Sequence, residues 1–287
     1  MTGILLAILV AIIWSIGEVN YSKVSKKYDR ANVYLYTFFV RTVIYIGVVV
    51  FFQFHLIGTF NPAVFSSTLP IIVCDLFASL SINMAVTNGK LSIVSPIMAA
   101  YPMVDIILGI LLLHEKTSPL EIALVTIISI SIIILAIHPE IGETATHPKK
   151  GILFSILYML LAAFSIYFEK TIYNANYTVY HLYYYKGLVY GVVSLFFGFV
   201  ISSTATKLKK PTVDIIKGCG ITPTGNVIDS FALSAENVSI VTPISSLYAA
   251  ITHFISRFYL KEKVTLKEKI CVGIILVSTI ILIFQKI

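Results

Sequence analysis

The sequence predicts an all-α integral membrane protein in which ten transmembrane helices form two inverted five-helix repeats. Three observations support this fold class. The 287-residue chain is 57% hydrophobic and only 12% charged, whereas soluble proteins carry roughly 25% charged residues. Apolar runs of about 20 residues, the length that crosses a bilayer, recur along the chain. The stretch 92–116 also returns at 239–263 without a gap.

Apolar runs bounded by loop signals predict the ten helices in chain order. The predicted helices 1 to 10 span residues 3–22, 32–54, 69–88, 91–113, 119–138, 151–172, 178–201, 212–233, 238–260 and 266–285. Predicted helix 8 contains Gly218, Gly220, Pro223 and Gly225. We expect it to be broken or to line water, because irregular backbone inside a membrane must face protein or water.

The internal repeat divides the chain. Both copies of the repeated stretch have a proline near the start, a tyrosine five residues later and a closing Glu-Lys pair. We therefore expect a first five-helix repeat at 1–138, a connector at 139–150 and a second repeat at 151–287. Since five is odd, tandem copies must lie in opposite orientations. Transporters use such inverted repeats to place a site near the middle of the membrane.

The charges orient the chain and argue against nucleic acid as a partner. The net charge of +7 comes largely from lysines between the apolar runs, where positive residues favour the cytoplasmic side. Fifteen lysine and arginine residues follow predicted helices 1, 3, 5, 7 and 9, and three lie on the opposite side. This bias predicts both termini outside the cytoplasm. The three cysteines have no metal-like or redox-like spacing, and we expect free thiols, no metal and no other cofactor.

The chain resembles the drug/metabolite transporter superfamily, specifically its ten-helix EamA-type members. The residues that carry the resemblance are SIVSP and SIVTP at the starts of predicted helices 4 and 9, LLHEK and YLKEK at their ends, and a basic residue inside predicted helix 2. The resemblance covers both repeats. It implies alternating access around a central cavity lined by helices 1–4 and 6–9. We expect a multi-pass protein of a prokaryotic plasma membrane, either monomeric or homodimeric.

Polar and ionisable residues inside the predicted helices are the candidate site residues, because burying them in a bilayer is costly. In predicted helix 1, Trp14 and Glu18 are one turn apart and share a face. Glu18 would take a proton or pair with a cationic substrate beside an aromatic wall. The alternative is that Glu18 reaches water at the helix end.

Predicted helices 2 and 7 each hold a basic residue with a tyrosine four positions later. The pairs are Arg41 with Tyr45 and Lys186 with Tyr190. A guanidinium or ammonium group in this setting suits a substrate carboxylate or phosphate. The alternative is a salt bridge to a buried acid of another helix.

Predicted helices 3 and 8 carry polar stripes at intervals of four residues. Asp75 and Asn83 are the strongest members of the first stripe, and Asn226 with the adjacent Asp229 of the second. Such a stripe does not face lipid. We expect both stripes to face a watery cavity or another helix.

Predicted helices 4 and 9 supply Tyr101, Asp105, Tyr248 and His253. Asp105 lies near the middle of its helix, where desolvation favours the neutral form of a carboxyl group, and it is the preferred proton-coupling residue. Its alternative is a structural bridge to a basic residue of predicted helix 2 or 7. For His253, a core residue and a proton relay are the two interpretations.

The sequence therefore favours a secondary active transporter of a small polar metabolite, coupled to protons or operating by exchange, and not an enzyme. The acids favour an amine or a zwitterion such as an amino acid, while the basic residues permit an anion. There is no glycine-rich phosphate loop, metal-ligand spacing or nucleophile elbow. The alternatives are an intramembrane enzyme that uses Asp75, Asp105 and Asp229 on a lipid-linked substrate, and a lipid translocation subunit.

Overall fold

The computed structural model describes residues 2–89, 91–137, 147–203, 208, 210–260 and 266–285. The regular secondary structure of these residues is helical. Within these residues a short 3₁₀ turn, Phe54–Leu56, follows the second of twelve α-helices. The helices are α1 (Thr2–Lys27), α2 (Arg30–Phe52), α3 (Pro62–Asn88), α4 (Leu91–Met98), α5 (Pro102–Leu111), α6 (Pro119–Ile137), α7 (Pro148–Asn174), α8 (Val179–Ser203), α9 (Val213–Ala235), α10 (Val238–Ser245), α11 (Tyr248–Leu260) and α12 (Leu266–Phe284).

Local capping groups set several helix starts. At α2, the Asp29 carboxylate accepts a hydrogen bond from the Asn32 amide, 3.1 Å away. Before α6, Ser118 and Glu121 each accept a hydrogen bond from the other's amide, which is a capping box. Proline is the first residue of α3, α5, α6 and α7, where its missing N–H costs no hydrogen bond.

Six helical segments of the described chain are long and apolar enough to cross a membrane. They are Thr2–Lys27, Arg30–Phe52, Pro62–Asn88, Val94–Leu111, Lys149–Asn174 and Val179–Ser203. Shorter apolar stretches lie in α6, in α12 and across α10 and α11. Large apolar side chains cover the outer faces of these helices, as contact with lipid requires.

Predicted helices 4 and 9 are each interrupted by a turn, which the prediction did not include. The breaks separate α4 from α5 and α10 from α11. At the first break, Pro102 has no N–H to donate to the preceding turn. At the second, the Ser246 hydroxyl donates to the Pro243 carbonyl, 2.7 Å away, which competes with the helical hydrogen bonds. Both helices break at the same point of the 147-residue repeat, because α10 begins and ends 147 positions after α4.

Predicted helix 8 is not broken, since α9 runs without interruption through Pro223. Its glycines instead allow α9 to lie close to α1. A Cβ atom on Gly218 would meet Val24 Cγ2 at 2.5 Å, and one on Gly225 would meet the Trp14 ring at 2.6 Å. Side chains larger than hydrogen would therefore push these two helices apart.

The two halves of the chain, α1–α6 and α7–α12, pack mainly against each other. Helix α1 packs on α9, and α7 packs on α3. Helix α2 pairs with α8, α6 with α12, α4 with α11 and α5 with α10. The pattern is symmetric between the halves: replacing each helix by its counterpart six helices away turns the α1–α9 pair into α7–α3 and the α4–α11 pair into α10–α5.

Apolar side chains close the bundle where α1 and α3 end and where α2, α4 and α9 begin. We call this region the packed end, and it comprises Val19, Tyr21, Val24, Val33, Tyr36, Ala85, Val86, Leu91, Val94, Met98, Ile215 and Cys219. At the same end, Gly89 and Gly151 bring α3 and α7 into backbone contact. A Cβ atom on Gly151 would lie 2.7 Å from the Gly89 Cα atom, so the crossing requires glycine.

Candidate functional site

A cavity of about 80 Å³ lies between α1, α3, α7, α8 and α9, and therefore between the two halves of the chain. Five of the candidate residues from the sequence line it: Trp14, Asp75, Lys186, Asn226 and Asp229. The polar stripes of α3 and α9 thus both reach this cavity. The expectation that predicted helix 8 lines a cavity, the alternative to a break, agrees with this position of α9.

The candidate residues omit half of the polar and aromatic lining. The omitted residues are Tyr158, Ser165, Glu169, Tyr183 and Ser230, of which Ser230 belongs to the polar stripe of predicted helix 8. Glu169 was overlooked because it lies near the end of its helix, beside a lysine. A signal was present, because an aromatic residue follows Glu169 at i+4, the spacing that singled out Arg41 and Lys186.

Lys186 lies between two carboxylates from two other helices. Its Nζ atom is 2.6 Å from Asp75 Oδ2 and 3.5 Å from Glu169 Oε2. The Ser165 hydroxyl donates to Asp75 Oδ1 at 2.5 Å, and the Tyr173 hydroxyl donates to Glu169 Oε1 at 2.7 Å. The Lys186 side chain is 4% exposed. Lys186 therefore forms the interhelical salt bridge that was one of its two alternatives.

Arg41 lies behind the cavity wall and does not line it. Its Nη1 atom donates to the Ser79 hydroxyl, and that hydroxyl donates to the Asp75 carbonyl at 2.6 Å. The guanidinium also lies over the Tyr190 ring, 5.7 Å from the centroid. Arg41 thereby holds the α3 backbone at the position of Asp75.

A chain of hydrogen bonds orients the aromatic wall. Trp14 Nε1 donates to Asn226 Oδ1 at 2.9 Å, and Asn226 Nδ2 donates to the Tyr45 hydroxyl at 3.4 Å. The Tyr183 hydroxyl donates to the Asn226 carbonyl at 2.8 Å. The Trp14 ring also meets the Tyr248 ring edge-on, with 5.7 Å between centroids. These contacts connect the cavity to the break between α10 and α11.

Two further carboxyl groups are held by the broken helices. Glu18 Oε2 accepts hydrogen bonds from the Ser95 hydroxyl of α4 at 2.6 Å and the Thr252 hydroxyl of α11 at 3.1 Å. Glu18 is only 5% exposed, so the alternative that it reaches water at the helix end is wrong. Asp229 Oδ1 accepts from the Ser245 hydroxyl, at the end of α10, at 2.8 Å.

Asp105 is buried and does not belong to the cavity lining. The Thr242 hydroxyl lies beside it but donates to the Val238 carbonyl at 2.9 Å. Both Asp105 oxygens therefore lack a hydrogen-bond partner among the described residues. The structural bridge to a basic residue of α2 or α8, which was its alternative, is not formed there. By the 147-residue offset, Thr242 and Asp105 are the counterparts of Ser95 and Thr252, which hold Glu18.

Asn83 and Tyr101 lie away from the cavity. Asn83 Nδ2 donates to the Ser25 hydroxyl at 3.0 Å and weakly to the Tyr21 hydroxyl at 3.4 Å, and so joins α3 to α1 at the packed end. Tyr101 is buried, and its hydroxyl has no hydrogen-bond partner in the described part of the chain. The side chain of His253 lies outside the described residues.

The Glu-Lys motif that closes the first copy of the repeated stretch contacts the other half. Glu115 accepts hydrogen bonds from the amides of Val238 and Ser239, at 2.9 and 3.1 Å. It thus caps the start of α10, where a negative charge is favourable. Lys170, which was counted as a loop charge, is buried and donates to the Glu236 carbonyl at 2.7 Å. The turn between α9 and α10 is therefore bonded on one side to a carboxylate of the first half, that of Glu115, and on the other to the ammonium group of Lys170 in α7.

The cavity lining combines carboxyl groups, an ammonium group, an amide and an indole. Over the residues that the structure describes, no three His, Cys, Asp or Glu side chains are grouped as metal ligands. Asp75 and Asp229 line the cavity, whereas Asp105 does not. Of the three aspartates named in the enzyme alternative, two therefore line the cavity and one does not.

The sequence model of the EamA-like transporter family matches residues 1–137 and 149–284. The chain belongs to this family. The resemblance carried by SIVSP, SIVTP and the Glu-Lys endings is thereby confirmed, and the protein is a multi-pass membrane transporter of the drug/metabolite transporter type.

One solved crystal structure is similar to this EamA-like transporter across 99% of both chains, with a TM-score of 0.73 and 10% sequence identity. At this identity the similarity concerns the fold alone. No curated protein sequence matches the chain.

Proposed function

We propose that this EamA-like transporter is a secondary active carrier of a small polar metabolite, coupled to protons or operating by exchange, and that the cavity between its halves is the substrate site. The observation that carries the proposal is the composition of that cavity. Carboxylates, an ammonium group, an amide and an indole converge on this one cavity, which both halves line. Polar groups held inside a membrane protein mark a substrate pathway.

Alternating access between two inverted five-helix repeats, 1–138 and 151–287, is the proposed mechanism. Two features support it: the helix pairs are unchanged when the halves are exchanged, and the breaks after α4 and after α10 lie at equivalent positions of the repeat. Broken helices near the middle of the membrane commonly border substrate sites in transporters built from inverted repeats. The lysines in the last turn of α1 further favour a packed end on the cytoplasmic side.

Asp105 is the proposed coupling residue. It is buried, and within the described residues its oxygens accept no hydrogen bond of ordinary geometry. Glu18 is the second candidate, because one of its oxygens also has no partner there. Both carboxyls lie against a broken helix that would move as the halves exchange conformations.

A ligand screen with a matched pair of variants tests the proposed site. Purified protein is heated with amines, amino acids, sugars and nucleosides, and compounds that raise the melting temperature are then tested for flux into liposomes. Asp75→Asn is expected to abolish both the stabilisation and the flux. Asp214→Asn, the same change on a side chain that is 70% exposed, is the control and is expected to behave as wild type. Equal behaviour of the two variants would remove the cavity from the transport pathway.

A further inference from the structure

One side-chain ammonium group, that of Lys186, is held inside the cavity by its lining residues. This group lies 2.6 Å from one Asp75 oxygen and 3.5 Å from one Glu169 oxygen. Its Nζ atom is also 5.3 Å from the centroid of the Tyr183 ring, within the range of a cation–π contact. The two carboxylates and the ring therefore form a seat for an alkylammonium ion.

Acidic groups outnumber basic groups around this seat. Three carboxyl side chains line the cavity, those of Asp75, Glu169 and Asp229. Among the described lining residues, Lys186 alone has a basic side chain. Arg41, which made an anionic substrate possible on sequence grounds, is directed at Ser79 behind the wall. An added carboxylate or phosphate would lie beside three carboxyl groups, which repel it, whereas an added cation would be attracted to them.

We propose that the substrate carries an ammonium group, as an amine or an amino acid does, and that this group takes the place of the Lys186 ammonium between Asp75 and Glu169. This inference rests on the proposed function of the cavity as the substrate site. Lys186 is then a tethered counter-ion that neutralises the two carboxylates whenever no substrate does so. Displacing its side chain would also enlarge a cavity of only about 80 Å³.

The exchange of one ammonium for another has a consequence for transport. Two unpaired carboxylates inside the bundle are unfavourable, because each is removed from water without a counter-charge. The carrier can change conformation when either substrate or Lys186 pairs with them. Removing the Lys186 charge is therefore expected to block the conformational change of the empty carrier. The substrate-loaded carrier should still change conformation, because the substrate ammonium pairs with the two carboxylates.

Chemical rescue tests whether an untethered ammonium group binds this seat. Lys186→Ala removes the tethered ammonium and leaves room for n-propylamine. We expect n-propylamine to raise the melting temperature of this variant, and propanol and propionate, which have similar size but no ammonium group, to leave it unchanged. Lys217→Ala, on an exposed position of α9, is the control and should gain nothing from any of the three. An equal response of the two variants to n-propylamine would overturn the proposal.

A second variant decides the outcome if Lys186→Ala does not fold. Lys186→Met keeps most of the side-chain volume without the charge. In liposomes it should lose net uptake of labelled amino acids and amines by at least about tenfold, while exchange of internal for external substrate remains close to wild type. Loss of both activities in equal proportion would contradict the counter-ion role.

The same liposomes separate this proposal from the proposed function. Transport of a sugar, nucleoside or carboxylate that Asp75→Asn abolishes would leave the cavity as the substrate site and refute an ammonium substrate. Absence of flux for every solute class in the screen would count against the transport site itself.

Discussion

Replacing Gly151 by alanine is expected to open the packed end. The new Cβ atom would lie 2.7 Å from Gly89 Cα and 2.8 Å from Gly89 N, whereas ordinary contacts begin at 3.4 Å. The helices α3 and α7 must therefore separate by about 0.7 Å, and overpacking of this kind costs typically about 1–3 kcal/mol. Residue 151 is helical whether the packed end is closed or open, so the higher helix propensity of alanine stabilises both conformations equally and does not change their ratio. The open population should rise by about 5- to 150-fold.

Thiol labelling measures this population. Cys219 belongs to the packed end and is 1% exposed, so a maleimide reaches it only when that end opens. With Cys74 and Cys271 replaced by alanine, the labelling rate at excess reagent reports the open fraction when closing is fast.

The control is Gly47→Ala, where a Cβ atom would have no neighbour within 4 Å. It should label Cys219 at the wild-type rate. If Gly151→Ala labels no faster than this control while both variants melt at similar temperatures, the backbone contact does not hold the packed end closed.

Four further changes test other contacts. Asp105→Asn should abolish proton-driven uptake in liposomes and leave exchange measurable, and unchanged proton dependence would exclude Asp105 from coupling. Trp14→Phe removes the hydrogen bond to Asn226 and should weaken substrate binding by about 2- to 13-fold, the equivalent of about 0.5–1.5 kcal/mol, in a thermal-shift titration; unaltered affinity would show that the indole N–H does not position the site. Glu115→Gln removes the charged cap of α10 and should lower the free energy of unfolding by about 0.3–1 kcal/mol, measured by denaturant titration, and no loss would mean that the cap is replaced by water. Lys27→Cys should react with an impermeant maleimide only from the cytoplasmic side, and labelling in intact cells from outside would reverse the orientation.

The sequence was sufficient to predict most helices because each span depends on a local property, the length of an apolar run. The breaks in predicted helices 4 and 9 were missed because each lies inside a single apolar run, which predicts one helix. The second break also depends on a hydrogen bond from Ser246 to a carbonyl three residues earlier. Conversely, the glycines of predicted helix 8 suggested a broken helix, although they serve close packing against α1.

The candidate site was predictable residue by residue but not as a set. Arg41 and Lys186 occupy matching contexts in the sequence, yet one bonds to Ser79 and the other to Asp75 and Glu169. Their roles differ because the residues opposite them differ, and those residues come from other helices. No local pattern contains that information.

The pairing of helices between the halves also constrains how the protein is made. Helix α1 finds its main partner in α9, and α6 finds its partner in α12, near the end of the chain. During synthesis the early helices must wait in the lipid, with their polar stripes unmatched, until the late ones are inserted. A chain released after its first half would leave Asp75 without Lys186, the residue that neutralises it. The unpaired carboxylate, exposed to lipid, would distinguish an unfinished molecule from a complete one for the cell's quality-control proteases.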